Sequence, residues 1–486
     1  MLWLLKMCGK NSKPMSSLWR EGAFFRKCLP INGRKYESPQ LNGKQAVSTF
    51  YFCCMKNCLL YSLVFSLQVL QAQTAPLLSA DEAVRIALEN NFDIRISQAD
   101  AEVARLNNTK GNAGMLPTVN FVANENFTLS AFQQKLASGN EFKESGAPFN
   151  TANAGVQLAW TLFDGRRMKI TKQRLEQLEL LGQINLQNTV QTTVATVLTA
   201  YYEIVRGRLQ ERALAEVIVL NEERLRIAEA RLAAGFAAQT DALQAKIDLN
   251  QRRADLLNQQ TATLAAKRSL NRLLARASET PFEVNEALES TYAPERNSLI
   301  ENALSQNRGL LSLQKNADIA ALTIEENRAL GKARLVGNSQ LNAVRTDNGA
   351  GFLLNNTQAG ITVGAGLVVP IYAGGNFRRQ VETAQLAAQQ ASLQVDAQRV
   401  ELETALDNQL ALFQTQRLIL SLEEENVATA RENLTVSTER FRVGTTNALE
   451  TQTAQNSLEQ ALARRNLVLF NLKTAEVSLR LLAGEL

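Results

Sequence analysis

The chain has 486 residues with no histidine, five cysteines, 9 prolines, 25 glycines and 6% aromatics, a composition that suits helix more than sheet. All the cysteines (Cys8, Cys28, Cys53, Cys54, Cys58) fall early, so the rest of the chain lacks the usual ligands for zinc, haem or iron–sulfur clusters. It lacks Ser-His and Cys-His catalytic pairs too, and no metal or cofactor is expected. Residues 1–73 hold ten Lys/Arg against two Asp/Glu, and the 42 basic and 45 acidic residues that remain leave no basic surface to suit nucleic acid.

Met55-Lys56-Asn57-Cys58 is a short positive segment, 59–70 a twelve-residue apolar run, and Gln71-Ala72-Gln73-Thr74 a cleavage site ahead of Pro76. That is the layout of a secretory signal peptide over 55–73, shorter than the roughly 18 apolar residues of a spanning helix. Residues 1–54 read as an extension upstream of it. A mature chain from about Thr74 carries no cysteine, so its stability must come from packing and assembly.

Ser79-Ala80-Asp81-Glu82 is a capping box that opens the first helix. Val119, Phe121, Ala123, Glu125, Phe127 and Leu129 then alternate with Thr118, Asn120, Val122, Asn124, Asn126 and Thr128, which predicts a strand with one apolar face. Val156, Leu158, Trp160 and Leu162 predict a second, with 130–155 as a long loop between them. Proline is absent from 149–280, where apolar residues recur every three or four positions: Leu186, Val190, Val194, Val197, Tyr201, Val205 and Leu209. A helix over 166–233 extends about 100 Å. Gly235 reverses it, and Asp241 starts a return helix with Leu243, Ile247, Leu257 and Leu264 as its apolar seam.

After a linker at 281–297 the plan repeats. Ala87-Leu88 matches Ala303-Leu304, Gly165 matches Gly374, Gly235 matches Gly444, and Arg272-Leu273-Leu274-Ala275 matches Arg480-Leu481-Leu482-Ala483, at offsets of 216, 209, 209 and 208. Residues 78–280 and 298–486 therefore read as two repeats, each of helix, two strands and a long helical hairpin. In the second, 339–345 is a weaker strand, and Ile361, Val363, Ala365, Leu367 and Val369 alternate with Thr362, Gly364, Gly366 and Val368. Four strands of about 10 residues each have membrane-spanning length. They cannot stand alone in lipid with two unpaired edges, and three copies close a barrel of 12 strands.

The residues from 78 to 486 resemble the TolC-type outer membrane factors. The resemblance is carried by the duplicated plan and by Gly235-Phe236-Ala237-Ala238-Gln239-Thr240-Asp241-Ala242-Leu243-Gln244-Ala245, Trp160-Thr161-Leu162-Phe163-Asp164-Gly165 and Val369-Pro370-Ile371-Tyr372-Ala373-Gly374. It implies a homotrimer whose outer-membrane barrel continues into an α-helical tube across the periplasm. The tube's tip meets a periplasmic adaptor coupled to an inner-membrane pump of RND, ABC or MFS type. The function implied is that of a passive exit duct for efflux or type I secretion.

Residues carried over on that resemblance are Arg231, Leu232, Gly235, Arg440, Phe441, Val443 and Gly444 for the adaptor-facing tip, and Asn447, Glu450 and Asp241 for a pore constriction there. Asn120, Asn124 and Asn126 would line the barrel lumen, and Val119, Phe121, Phe127 and Trp160 would face lipid. The family's tip latch of a Tyr, an Arg and an Asp is incomplete: Asp241 stands at the Asp, Phe441 replaces the Tyr, and 444–449 contains no basic residue. A soluble periplasmic coiled-coil scaffold or adaptor is the second reading, and it predicts extraction without detergent. An enzyme is the third, and no carboxylate pair or Ser-Lys constellation stands out to support it.

Overall fold

The computed structural model describes residues 76–486, apart from 289 and 352. The expected signal peptide at 55–73 and the extension at 1–54 lie outside the described residues. The described chain begins with β1 (Leu77–Leu78), α1 (Ala80–Asn90) and α2 (Phe92–Asn107), and passes through β2 (Thr118–Lys135) and β3 (Glu141–Phe163) into α3 (Arg167–Ala233) and α4 (Gln239–Leu273). A second series follows: β4 (Glu283–Val284), α5 (Arg296–Gln306), α6 (Arg308–Ala329), β5 (Arg334–Asn348), β6 (Asn355–Val368), α7 (Asn376–Arg442) and α8 (Ala448–Ala483). Helices α3 and α7 are both 67 residues long, about 100 Å at 1.5 Å per residue.

Where one opening helix is expected in each half, two are present, and asparagine makes both breaks. Asn91 is extended (φ −58°, ψ 134°), and its side chain accepts from the amides of Asp93 and Ile94, ending α1 and starting α2 in one residue. Its Nδ2 also donates to the Leu273 carbonyl at 2.8 Å, tying that corner to the end of α4. Asn307 does the same between α5 and α6, accepting from Leu310 and donating to the Leu482 carbonyl at 3.0 Å. Ser79 caps α1 by accepting from the Glu82 amide, as the capping box requires.

Strands β2, β3, β5 and β6 form one antiparallel sheet in that order, leaving β2 and β6 as open edges. The loop expected at 130–155 is mostly strand: β2 and β3 run to 18 and 23 residues and leave only 136–140 as the turn. Backbone pairing from Thr118–Ala159 to Lys135–Glu141 carries the polar stretch that hydropathy alone cannot recognise as strand. The length expectation of about 10 residues fails for the same reason, since alternation marks only the part with an apolar face.

The segment expected as a linker is packed into a core. β4 pairs in parallel with β1, and Phe282, Val284 and Leu288 join Leu78, Ala87, Val197, Tyr201, Ile204 and Leu270 in one buried cluster. The Tyr201 hydroxyl donates to the Leu78 carbonyl and accepts from the Asn285 amide, both at 3.0 Å, joining the two short strands to α3. A second cluster packs Leu299, Ala303 and Leu310 against Leu402, Leu406, Phe413, Leu472 and Leu479. The seam predicted on α4 needs correction. Leu243, Ile247, Leu257 and Leu264 are exposed in the protomer, while Ala242, Ala245 and Leu249 are buried.

Candidate functional site: sheet faces and hairpin turns

Register fixes which strand residues share a face. Phe121, Val156, Leu341 and Ile361 stand side by side across the four strands; the next rows are Val119, Leu158, Ser339, Val363 and Ala123, Ala154, Ala343, Ala359. Their large members are exposed, Phe121 at 72%, except Leu158, which is half-buried. The band from Leu162 to Ala154 on β3 is about 27 Å long at roughly 3.4 Å per residue, close to the ~25 Å apolar height of a membrane barrel. Trp160 stands near its lower end, its indole N–H donating to the Met115 carbonyl at 3.0 Å. Its upper end is marked by Glu125 with Arg345, and by Phe127 opposite Asn150 and beside Asp347 in the next row. The opposite face bears the rows Asn120, Gln157, Gln340, Thr362; Asn124, Asn153, Val344, Gln358; and Asn126, Thr151, Thr346, Asn356.

At the other end of the long helices, two turns are built alike. Past α3, Gly235 at φ +77° lets the Phe236 amide reach the Arg231 carbonyl at 2.8 Å; past α7, Gly444 at φ +83° lets the Thr445 amide reach the Arg440 carbonyl at 2.9 Å. Arg231 joins the turns. Its guanidinium lies 4.9 Å from the centre of the Phe441 ring and donates to the Phe441 carbonyl at 2.8 Å. Phe441 is 2% exposed, packed with Ile227, Ala228, Ala242, Leu232 and Ala448, so it is an internal pin and not an outer contact surface. The exposed apolar residues at the turns are Phe236, Val443 and Leu449.

Glu450 is held within its own protomer: it accepts from Arg440 Nη1 at 2.6 Å and from the Thr446 hydroxyl, while Asn447 caps α8 by accepting from the Glu450 amide at 2.9 Å. Asp241 lies in the first turn of α4, half-buried and apart from this pair. Arg440 therefore offsets the charge of Glu450 within the protomer. Arg231, on the first turn, reaches across to the second, and Arg442 beside the second turn reaches back to Glu223 on α3 at 3.4 Å.

A buried polar network above the turns escapes sequence reasoning. Arg224 on α3, 4% exposed, pairs with Asp248 on α4 and donates to Gln455 on α8 at 2.9 Å. Gln452 and Gln244 donate to Asp248 at 2.9 and 2.8 Å, so three helices meet on one carboxylate. One turn further along α4, Arg252 contacts Glu459 on α8 at 3.0 Å. Burial still holds the Glu459 carboxyl above the ordinary range, against the pull of Arg252. A charged residue in a helix reads as surface by default, and nothing in the local pattern at 224 or 248 marks them as buried.

A sheet with an apolar band on one face and amides on the other, joined to helices of about 100 Å, is the build of an outer-membrane channel protein. The chain belongs to the outer membrane efflux protein family, whose model matches residues 83–276 and 299–485. It is 26% identical over 324 residues to the outer membrane efflux protein BepC of Brucella suis biovar 1 (strain 1330), a match spanning 63% of this chain and 66% of that one. It is 23% identical to the alkaline protease secretion protein AprF of Pseudomonas aeruginosa over 83% of this chain and 84% of the relative. The outer membrane protein VceC from Vibrio cholerae shares the fold, with TM-score 0.68 at 14% identity over 83% of this chain and 96% of VceC. The protein is thus an outer-membrane exit duct that extends into the periplasm.

Proposed function

We propose that the duct is a homotrimer. Its four-stranded sheets join edge to edge, β6 of one copy to β2 of the next, into a barrel of about 12 strands, because open edges are not tolerated in lipid. The observation that carries this reading is a sheet with two open edges and an exposed apolar face. Val119, Phe121, Phe127 and Trp160 then face lipid, and Asn120, Asn124 and Asn126 the lumen. The helices support the same assembly. Phe92, Ile96, Val103 and Leu106 on α2, Leu243, Ile247, Leu257 and Leu264 on α4, and Leu386, Leu393 and Val400 on α7 form exposed stripes at heptad spacing, which a neighbouring copy would cover.

The chain from 78 to 486 is read as an internal duplication, with the two turns of each copy at the periplasmic tip. Arg231, Leu232, Gly235, Arg440, Val443 and Gly444 would face a periplasmic adaptor, with Phe441 supporting them from inside. Asn447, Glu450 and Asp241 would set the constriction. An inner-membrane pump of RND, ABC or MFS type would supply the energy. The names of the relatives point to efflux for one and protease secretion for another, so small molecules and proteins are both proposed as cargo. Cross-linking the purified protein in detergent tests the assembly: a trimer that dissociates on heating supports it, and a monomer soluble without detergent favours the scaffold reading.

A further inference from the structure

A cavity of about 560 Å³ lies where the sheet meets the helices, between the start of α3, the end of α6 and the first residues of β5. Its charged lining is Asp164, Arg167, Arg174, Glu326, Lys332 and Arg334, four cations against two acids. Both acids are already engaged. Asp164 accepts from the Met168 amide at 2.9 Å, closing the N-terminus of α3. Glu326 accepts from Arg174 Nε at 2.9 Å and the Thr171 hydroxyl at 3.0 Å, with Arg167 at 3.7 Å.

Lys332 and Arg334 make no ion pair among the described residues, so the excess positive charge of the cavity rests on them. The Lys332 stem is held across Gly165: a Cβ at that glycine (φ +67°) would collide with it. Alternation and pairing place Thr161, Arg334 and Val368 on the same sheet face as Asn120 and Asn124. Along that face, within 118–130, 147–161, 334–348 and 355–368, Arg334 is the sole charged residue. An amide-bearing surface thus ends at its helix-side rim in cations with no carboxylate of their own.

We propose that this cavity is a binding site for oxyanion groups, phosphate or carboxylate, of solutes inside the duct, with Arg334 and Lys332 as the ligating cations and Arg167 behind them. Two cations beside a neutral, low-dielectric wall focus a positive potential, and a guanidinium matches a flat oxyanion in two-point contact. A phospholipid headgroup carries the same chemistry, but the cavity lies on the face opposite Phe121 and Trp160. The inference rests on the amide face being the lumen, and single-channel conductance of the same samples reads duct formation separately.

The test is calorimetric titration of the full chain in detergent with inorganic pyrophosphate at fixed ionic strength. The expected result is saturable binding that weakens at least tenfold in Lys332→Gln/Arg334→Gln and is unchanged in Arg345→Gln, which alters a charge on the other face. Arg334→Gln alone, at an exposed strand start, keeps the test valid if the double variant misfolds. Absence of saturable binding, or equal binding by the variants, overturns the proposal. Competition by phosphatidylglycerol in the micelles overturns the lumen assignment and gives the site to lipid.

Discussion

Replacing Arg224 with Met should loosen the lower part of the helical hairpins more than any surface charge change. Arg224 is 4% exposed, and its loss strands Asp248, whose side chain is 17% exposed. Breaking a buried ion pair from one side costs about 3–5 kcal/mol. Asp248 keeps the amide donors Gln244 and Gln452, which places the effect near the lower end, about 3 kcal/mol. That corresponds to roughly 150-fold in a local opening equilibrium. Amide hydrogen exchange over 217–235 and 448–460 reads it, with protection falling by about two orders of magnitude. Arg224→Met/Asp248→Leu, which removes both charges, should return to within about 1 kcal/mol of the parent. Unchanged exchange in the single variant would show that the pair behaves like an exposed one, and a double variant as weak as the single would refute the desolvation argument.

Phe441→Ala should cost about 3–5 kcal/mol locally, by emptying a buried ring site and removing the seat of Arg231, and should raise closed-channel conductance. Phe121→Arg, in the middle of the apolar band, should lower barrel stability by about 2–4 kcal/mol in urea unfolding from lipid vesicles, whereas Asn124→Arg should leave assembly intact and change ion selectivity. Gly444→Ala should destabilise the second turn by about 1–2 kcal/mol through its positive φ, since a Cβ there would meet only Arg231 Nη2 at an ordinary 3.6 Å, and limited proteolysis at the turn should detect this. Burial, reinforced by Glu485, pushes the Tyr292 hydroxyl up to about 12. With the folded value above the unfolded one near 10, its contribution is full below about pH 10 and is lost as pH rises toward 12, which thermal melts across that window should show against Tyr292→Phe.

The long helices were legible because proline is absent and the apolar period persists; the expected 166–233 differs by one residue from Arg167–Ala233. The faces of β2 were legible where Val119 to Leu129 alternate cleanly. Beyond that, 130–155 carries too little hydrophobic contrast, and its pairing is decided by backbone bonds that no side chain announces. The α4 seam misled because a channel helix has two apolar stripes. Leu243 and Ile247 are the more hydrophobic set yet point away from their own hairpin, while small residues such as Ala242 and Ala245 allow the close approach inside it. Both turns were located from Gly235 and Gly444. The bond between them, Arg231 on Phe441, joins residues 210 apart and follows only from the fold.

Single-channel recording in planar bilayers, with Glu450→Gln as a paired sample, tests the central claim most directly. The chain from residue 74 onward, extracted with detergent, should give discrete openings of one size class, and the substitution should lower cation preference. A preparation soluble without detergent that never conducts would contradict the exit duct.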